Sequence, residues 1–322
     1  MKDAGVTELR QGVPVEPAVT LGARIRSAAA DFWLRSLFFF SEHLPWVPRV
    51  TRPLFVWAAY RCSPHIRCAT SANARRILGD AADEASVERV GRGVVGSFYD
   101  FVCDVGRSRE MTREQLEQRI EGVEGDERYR AIRQAGRGAI IVTAHMGSFE
   151  VGVAALLQHE QRIHVVFKRD SGRFERIRQG LRQRLGVVEQ PVDDGWGVWV
   201  NLRDALRANE VVAIQGDRVM PGQKGSRVAF LGGHMLLPTG PVKLAMASGA
   251  PIVPVFSVRT ASGKIKLFIE EPIEVGQDVD EAMGKLAAVI GRYVARYPEQ
   301  WLVLNPAFEE DANGARRVSD ER

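Results

Sequence analysis

Cysteine is scarce: Cys62, Cys68 and Cys103 are the only three in 322 residues, and no two form a C-x-x-C pair. An odd, widely spaced set excludes a disulfide scaffold or zinc ribbon and reads as reduced, structural thiols. Charge of one sign is missing too. Against 44 Lys plus Arg stand 40 Asp plus Glu, a net +4 that suits a phosphate-rich membrane surface or an acidic carrier but is no nucleic-acid signature. No long hydrophobic run occurs. The strongest, residues 32 to 40, is broken by Arg35 and followed by Glu42, His43 and Pro45, whereas a spanning helix needs about 20 mostly apolar residues. The opening residues are polar through Pro17 and lack the basic start and apolar run of a secretory signal, so a cytoplasmic protein is expected.

Several chemical motifs are absent as well. There is no G-x-G-x-x-G after a strand, no Walker loop and no G-x-S-x-G elbow, which disfavours nucleotide chemistry and an acyl-serine hydrolase. His159 and His164 lack a third ligand, and no loop has calcium spacing, so no metal or cofactor is expected.

What is present begins with a hydrophobic fraction of 45%, ample for a packed core. Residues 1–18 read as a disordered lead, 19–68 as a helical membrane-associated segment, 69–310 as one α/β domain and 311–322 as a polar tail. In the second segment Phe32, Trp33, Phe38, Phe39, Phe40, Trp46, Phe55 and Trp57 alternate with Arg26, Arg35, Arg49, Arg52 and Arg61. Aromatics beside arginines suit a helix lying in a bilayer interface; a helical hairpin packed on the protein's own core fits the same residues. The pattern stays helical to about residue 135, with Val90, Val94, Phe98, Phe101 and Val102 at three- and four-residue spacing. From Gly138 strand-like and helical runs alternate: strands at 139–143, 163–167, 211–214, 228–231, 252–258 and 264–269, helices at 149–158, 173–185, 241–248 and 279–295. The fold class expected is α/β, a mixed, mostly parallel sheet flanked by helices, with 252–258 and 264–269 as its antiparallel hairpin.

The chemistry concentrates at residues 139–150, Ala-Ile-Ile-Val-Thr-Ala-His145-Met-Gly147-Ser148-Phe-Glu150. A buried strand ends just before His145, at the edge where open α/β sheets bind ligands. Gly147 permits a tight turn, Ser148 is a candidate N-cap, and Glu150 falls in the next helix's first turn, able to fold back toward the imidazole. A carboxylate on one ring nitrogen raises the basicity of the other, as a general base requires. The spacing equally fits a capping Glu beside a structural His.

This His-x-x-x-x-Glu corner resembles the first motif of the glycerolipid (lysophospholipid) acyltransferase superfamily. Later segments follow in the order of the lipid A late acyltransferases: Lys168-Arg169 at a strand end, an Arg-rich helix, Gln215-Gly-Asp217-Arg218, Phe230-Leu-Gly232, Pro238-Thr239-Gly240-Pro241, Gly249-Ala-Pro251 and Tyr297-Pro298-Glu299-Gln300-Trp301, with Ala72-Asn73 earlier. The resemblance spans residues 69–308, and the Met-Gly-Ser-Phe insert reads closer to relatives that acylate other glycolipids, including phosphatidylinositol mannosides. It implies a glycerolipid acyltransferase-like fold with a membrane-apposed helical region. It also implies acyl transfer from acyl carrier protein or CoA to a lipid or glycolipid hydroxyl at the cytoplasmic face of the inner membrane, the enzyme being peripheral or monotopic. His145 and Glu150 would be catalytic, and Arg169, Asp217 and Arg218 substrate-binding, with Thr239 capping a helix start. A lysophospholipid or secondary-metabolite acyltransferase, and a non-catalytic lipid-binding protein, are the alternatives. If one cleft holds the chemistry, His145, Glu150, Arg169 and Asp217 must converge at the carboxyl edge of the sheet.

Overall fold

The computed structural model describes residues 21–108, 111–157, 159–169, 182, 186–219 and 223–309. The expected lead and tail, most of the Arg-rich helix over 173–185, and Pro221 and Gly222 lie outside these described residues.

Four helices open the fold: α1 (Leu21–His43), α2 (Trp46–Cys62), α3 (Pro64–Leu78) and α4 (Glu84–Ser108). The start of α4 is closed reciprocally, the Ser86 N–H donating to Asp83 Oδ1 at 2.6 Å and the Asp83 N–H to Ser86 Oγ at 3.1 Å. Its apolar positions then bury almost continuously from Val87 to Val105, because α1, α2 and α3 all lie against it. Leu37 and Phe38 of α1 and Val56 and Tyr60 of α2 turn inward, and a Cβ on Gly106 of α4 would meet Phe38 Cδ1 at 2.5 Å. Phe32, Phe39, Trp46, Leu54 and Trp57 turn outward and are exposed. The hairpin of α1 and α2 is therefore packed on the core by one face and presents aromatics on the other. No described helix is long and apolar enough to cross a membrane.

The seven-stranded sheet runs in the order β1 (Ile120–Glu124), β9 (Ile265–Ile269), β8 (Ile252–Arg259), β2 (Ala139–Thr143), β5 (Val211–Gln215), β3 (Ile163–Phe167), β4 (Val188–Pro191). All neighbours are parallel except β8 and β9, which form the expected antiparallel hairpin. Helices α5 (Arg113–Glu117), α6 (Asp126–Gln134), α7 (Phe149–Leu156), α8 (Trp196–Arg207), α9 (Gly240–Ser248) and α10 (Val279–Arg296) cover it, and a separate hairpin joins β6 (Gly225–Phe230) to β7 (Gly233–Pro238). Burial on both faces explains why β2 and β5 are apolar up to their last residues, Thr143 and Gln215. Ile140, Val142, Val212 and Ile214 face a core with Leu202, Leu244, Leu286 and Ile290; Ala139, Ile141, Val211 and Ala213 face another with Tyr129, Ile132 and Leu157.

Three strands and a helix depart from the expected pattern. The helical reading to residue 135 is interrupted by β1, an edge strand whose Ile-Glu-Gly-Val-Glu has little apolar alternation. Edge strand β4 is only four residues long, and β7 follows β6 through Leu231 and Gly232, Leu231 taking a φ of 48° that the sequence does not advertise. Helix α8 was obscured by glycines at 195 and 197.

Asp104 of α4 ties the helical layer to the sheet. Its carboxylate is buried and accepts from Arg119 Nη2 at 2.5 Å and from Arg259 Nη2, residues that precede β1 and end β8. Removing one partner of a buried ion cluster strands the others, so Asp104→Ala should cost about 3–5 kcal/mol in urea denaturation. A loss under about 1 kcal/mol would show that this tie is dispensable.

Candidate active site

The register of β2 on β5 sets the site. Thr143 pairs with Gln215 at the strand ends, and the Gly216 N–H extends the ladder to the Thr143 carbonyl at 2.8 Å. His145 and Asp217, each two residues further on, are thereby adjacent although 72 positions apart in the chain. Gly216 fits here because a Cβ would stand 2.5 Å from Val142 Cγ1.

After β2 the chain turns sharply at Gly147, whose φ is +54° and where a Cβ would lie 2.1 Å from the Ser257 carbonyl oxygen. Only glycine satisfies both demands. Residues 300–302 clamp this corner: the Gly147 N–H donates to the Gln300 carbonyl at 3.1 Å, the Leu302 N–H to the His145 carbonyl at 2.7 Å, and Met146 bridges Trp301 in antiparallel fashion.

Asp217 is wholly buried and accepts three hydrogen bonds. Oδ1 takes His145 Nδ1 at 2.7 Å, while Oδ2 takes the His145 backbone N–H at 3.1 Å and the Trp301 indole Nε1–H at 2.9 Å. Burial alone would raise this carboxyl's pKa. The His145 ring beside it outweighs burial, with help from Arg218 and the indole N–H, and holds it well below the usual carboxylate range. An ionised carboxylate can only accept, so Nδ1 carries a proton, and in the neutral ring the lone pair is then on Nε2. The base-and-carboxylate arrangement expected for His145 and Glu150 is thus supplied at Nδ1 by Asp217.

The other expected residues divide. Glu150 sits in the first turn of α7 as read, but it is buried with its carboxylate 4.0 Å from Arg182 Nη1, and Arg182 also donates to Glu189 Oε1 at 2.8 Å. Ser148 occupies the N-cap position without capping: its Oγ is fully buried and makes no hydrogen bond. Thr239 also stands at an N-cap, of α9, with no side-chain cap bond, while Pro241 is in the first turn as expected. Arg169 does not line the groove described below. Its guanidinium pairs with Asp194 and its backbone N–H donates to Asp193 Oδ2 at 2.7 Å, so two adjacent acids turn it toward solvent. Lys168, one residue earlier, takes the groove position.

His145, Asp217 and Arg218 border a groove of about 1490 Å³. That exceeds the roughly 300–1,000 Å³ usual for small-molecule pockets and leaves room for a long chain. Aromatic walls come from Phe98 and Phe101 of α4, Phe149 of α7, and Trp196 and Trp199 of α8; cations come from Lys168, Arg203, Arg218 and Lys243. Phe149 stacks on Phe101 at 4.7 Å and meets the His145 ring edge-on at 5.8 Å, so apolar surface reaches the imidazole itself. The segment 304–307 closes one side and is held by Asn73, whose Nδ2 donates to the Asn305 carbonyl and whose Oδ1 accepts the Ala307 N–H, both at 2.9 Å. Among the described residues no group of His, Cys, Asp and Glu could hold a metal ion. Trp301 and the α8 wall were not singled out as site residues from sequence; Trp301 was visible only as the last residue of the Tyr-Pro-Glu-Gln-Trp block.

Residues 50–310 match the family described as bacterial lipid A biosynthesis acyltransferase. A phosphatidylinositol mannoside acyltransferase of Mycolicibacterium smegmatis is 24% identical over 250 residues, spanning 76% of this chain and 81% of that protein. One of the same name from Mycobacterium tuberculosis is 26% identical over 264 residues, spanning 76% and 78%. The buried acid and imidazole beside a lipid-sized groove are accordingly those of an acyltransferase. The chain belongs to the bacterial lipid A biosynthesis acyltransferase family.

Because the Asp217 carboxyl is depressed below its ordinary value of 3.8, its stabilising contribution is complete above that pH and is lost as the pH falls further. Asp217→Asn should lower stability near neutral pH by about 1–3 kcal/mol by unbalancing three buried donors. The gap from wild type should then shrink below the carboxylate range in thermal denaturation at stepped pH; a gap that widened on acidification would reverse the sign.

Proposed function

We propose that the protein transfers a fatty acyl group from an acyl thioester, carried by acyl carrier protein or CoA, to a hydroxyl of a glycolipid acceptor. The carrying observation is the His145–Asp217 pair at the edge of a groove whose walls mix aromatics and cations. The acceptor hydroxyl gives its proton to His145 Nε2 as its oxygen attacks the thioester carbonyl. The ester C–O bond forms, the C–S bond breaks, and the imidazolium returns the proton to the departing thiolate. Asp217 holds the ring in the required tautomer and balances the imidazolium charge. Glu150, the orienting acid on sequence alone, is assigned instead to the buried charge balance around Arg182. Arg218 and Lys168 are the cations placed to meet acceptor or donor phosphate. The names of the two relatives favour a glycolipid acceptor over a lysophospholipid.

A positioned base contributes about 10²–10⁴-fold in rate. His145→Ala should lose acyl transfer by that factor and keep its fold, measured with labelled acyl-CoA and acyl carrier protein against mannosylated phosphoinositides, lipid A precursors and lysophospholipids. Wild-type turnover in the folded variant would sink the mechanism, and the acceptor that is turned over names the substrate class.

The site of action proposed is the cytoplasmic face of the inner membrane, approached through the exposed aromatics of α1 and α2. Phe39, Trp46 and Trp57 suit insertion at the headgroup boundary, and Arg35 and Arg49 suit anionic lipid. The full chain should sediment with anionic vesicles and be partly released at 1 M salt, where the Debye length falls to about 3 Å. Replacing the three aromatics by serine should abolish the salt-resistant fraction; unchanged sedimentation would remove this surface from the proposal.

A further inference from the structure

We infer that Trp301 is a positioning residue for acyl transfer, acting through its indole N–H on Asp217 rather than by filling space. The inference rests on the reading of His145 as the base.

Asp217 has two oxygens with separate duties. Oδ1 faces the imidazole, and its direction is set by what grips Oδ2: the backbone N–H of His145 and the indole N–H of Trp301. The backbone donor ties Oδ2 to the main chain of His145 but not to the rest of the fold. Trp301 supplies an outside reference. It is about 1% exposed, and its backbone is pinned to the corner beside the base through the Met146 bridge. It is also pinned to the sheet, because the side chain of Gln300 holds Arg259 from both sides: Oε1 accepts the Arg259 N–H and Nε2 donates to the Arg259 carbonyl, both at 2.8 Å. The donor is thus built on two anchors independent of Asp217. An indole offers a single N–H and no acceptor, so it can only donate to the carboxyl group and never competes for the His145 proton.

The chemical consequence has a sign. Trp301 N–H draws charge from the carboxylate and so tempers how strongly Asp217 holds the proton on the imidazole. Without it, Oδ1 becomes more basic and less well aimed, and the protonated ring is favoured. Removing the carboxylate charge does the opposite. The other charged groups on the groove wall among the described residues are Arg218, which acts on Asp217, and Lys168, Asp193, Arg203, Lys224, Lys243 and Glu309, and substitution at 301 changes none of their charges.

Trp301→Phe would leave a cavity, so the test replaces Trp301 site-specifically in the full-length protein by 3-benzothienylalanine, which keeps the bicyclic shape and puts sulfur where the N–H was. Rates are measured against pH with acyl-CoA and an acceptor the wild type uses, after circular dichroism confirms the fold. The expected result is a kcat lowered roughly tenfold with KM unchanged, the effect of one lost hydrogen bond to a charged group. The acidic limb of kcat/KM should move up by about half a pH unit or more. Asp217→Asn should move that limb down or erase it. A fluorinated tryptophan at 301, a stronger donor, should shift it down as well. Wild-type kcat and an unmoved limb in the benzothienyl variant would overturn the role of Trp301 while leaving the His145–Asp217 reading intact. Full activity in folded His145→Ala would overturn that reading first, and this inference with it.

Discussion

A single buried charge organises the carboxyl edge of the central strands of this fold. The Asp217 carboxylate has no contact with solvent, and an ion in that position is tolerated only when each oxygen is matched by donors. Its donors come from two segments distant in sequence, the corner after β2 and the strap at 300–302, so satisfying the charge requires both to pack against the end of β5. The corner in turn requires glycine at 147, and the strap requires the Gln300 clasp on β8. Placement of the imidazole is thus over-determined. In the proposed reaction that preorganisation is what a base needs if binding a substrate is not to include the work of arranging its catalyst.

The sheet contributes proximity and the loops contribute direction. Register alone brings residues 145 and 217 side by side, and any parallel pair ending at the same level would do as much. What distinguishes the pair is that Asp217 binds both the ring and the backbone N–H of the same histidine and so fixes the orientation of the ring; in the proposed reaction this turns Nε2 to the acceptor.

How much of this was legible depended on whether a residue's role is local. Strands β2, β3 and β5 were read within a residue because their apolar runs are buried on both faces, and the hairpin of β8 and β9 because Ser262-Gly263 punctuates it. Strands β1 and β4 were missed because edge strands carry little pattern, and β7 because its turn puts a leucine at positive φ. The site followed the same rule. His145 stood out by its position after a buried strand. The sequence offers Glu150 as its partner because helical spacing is visible over five residues, whereas the pairing with Asp217 depends on inter-strand register that no local pattern contains. Arg169 was placed at the right strand end, yet Asp193 and Asp194, brought close by the β3–β4 pairing, decide where its charge points.

The N-terminal helices and the groove are joined through α4. Successive residues of α1 have opposite fates: Phe38 is driven into the notch left by Gly106 of α4, and Phe39 is left exposed beside it. One turn or more away, the same helix sends Phe98 and Phe101 to the groove, where Phe101 stacks on Phe149 next to His145. One packed apolar cluster therefore links the inner face of α1, through α4, to Phe149 beside His145. In the proposed reaction this geometry suits a water-insoluble acyl chain better than a soluble substrate. The chain can exchange one hydrocarbon environment for another, and only its carbonyl need meet the polar pair.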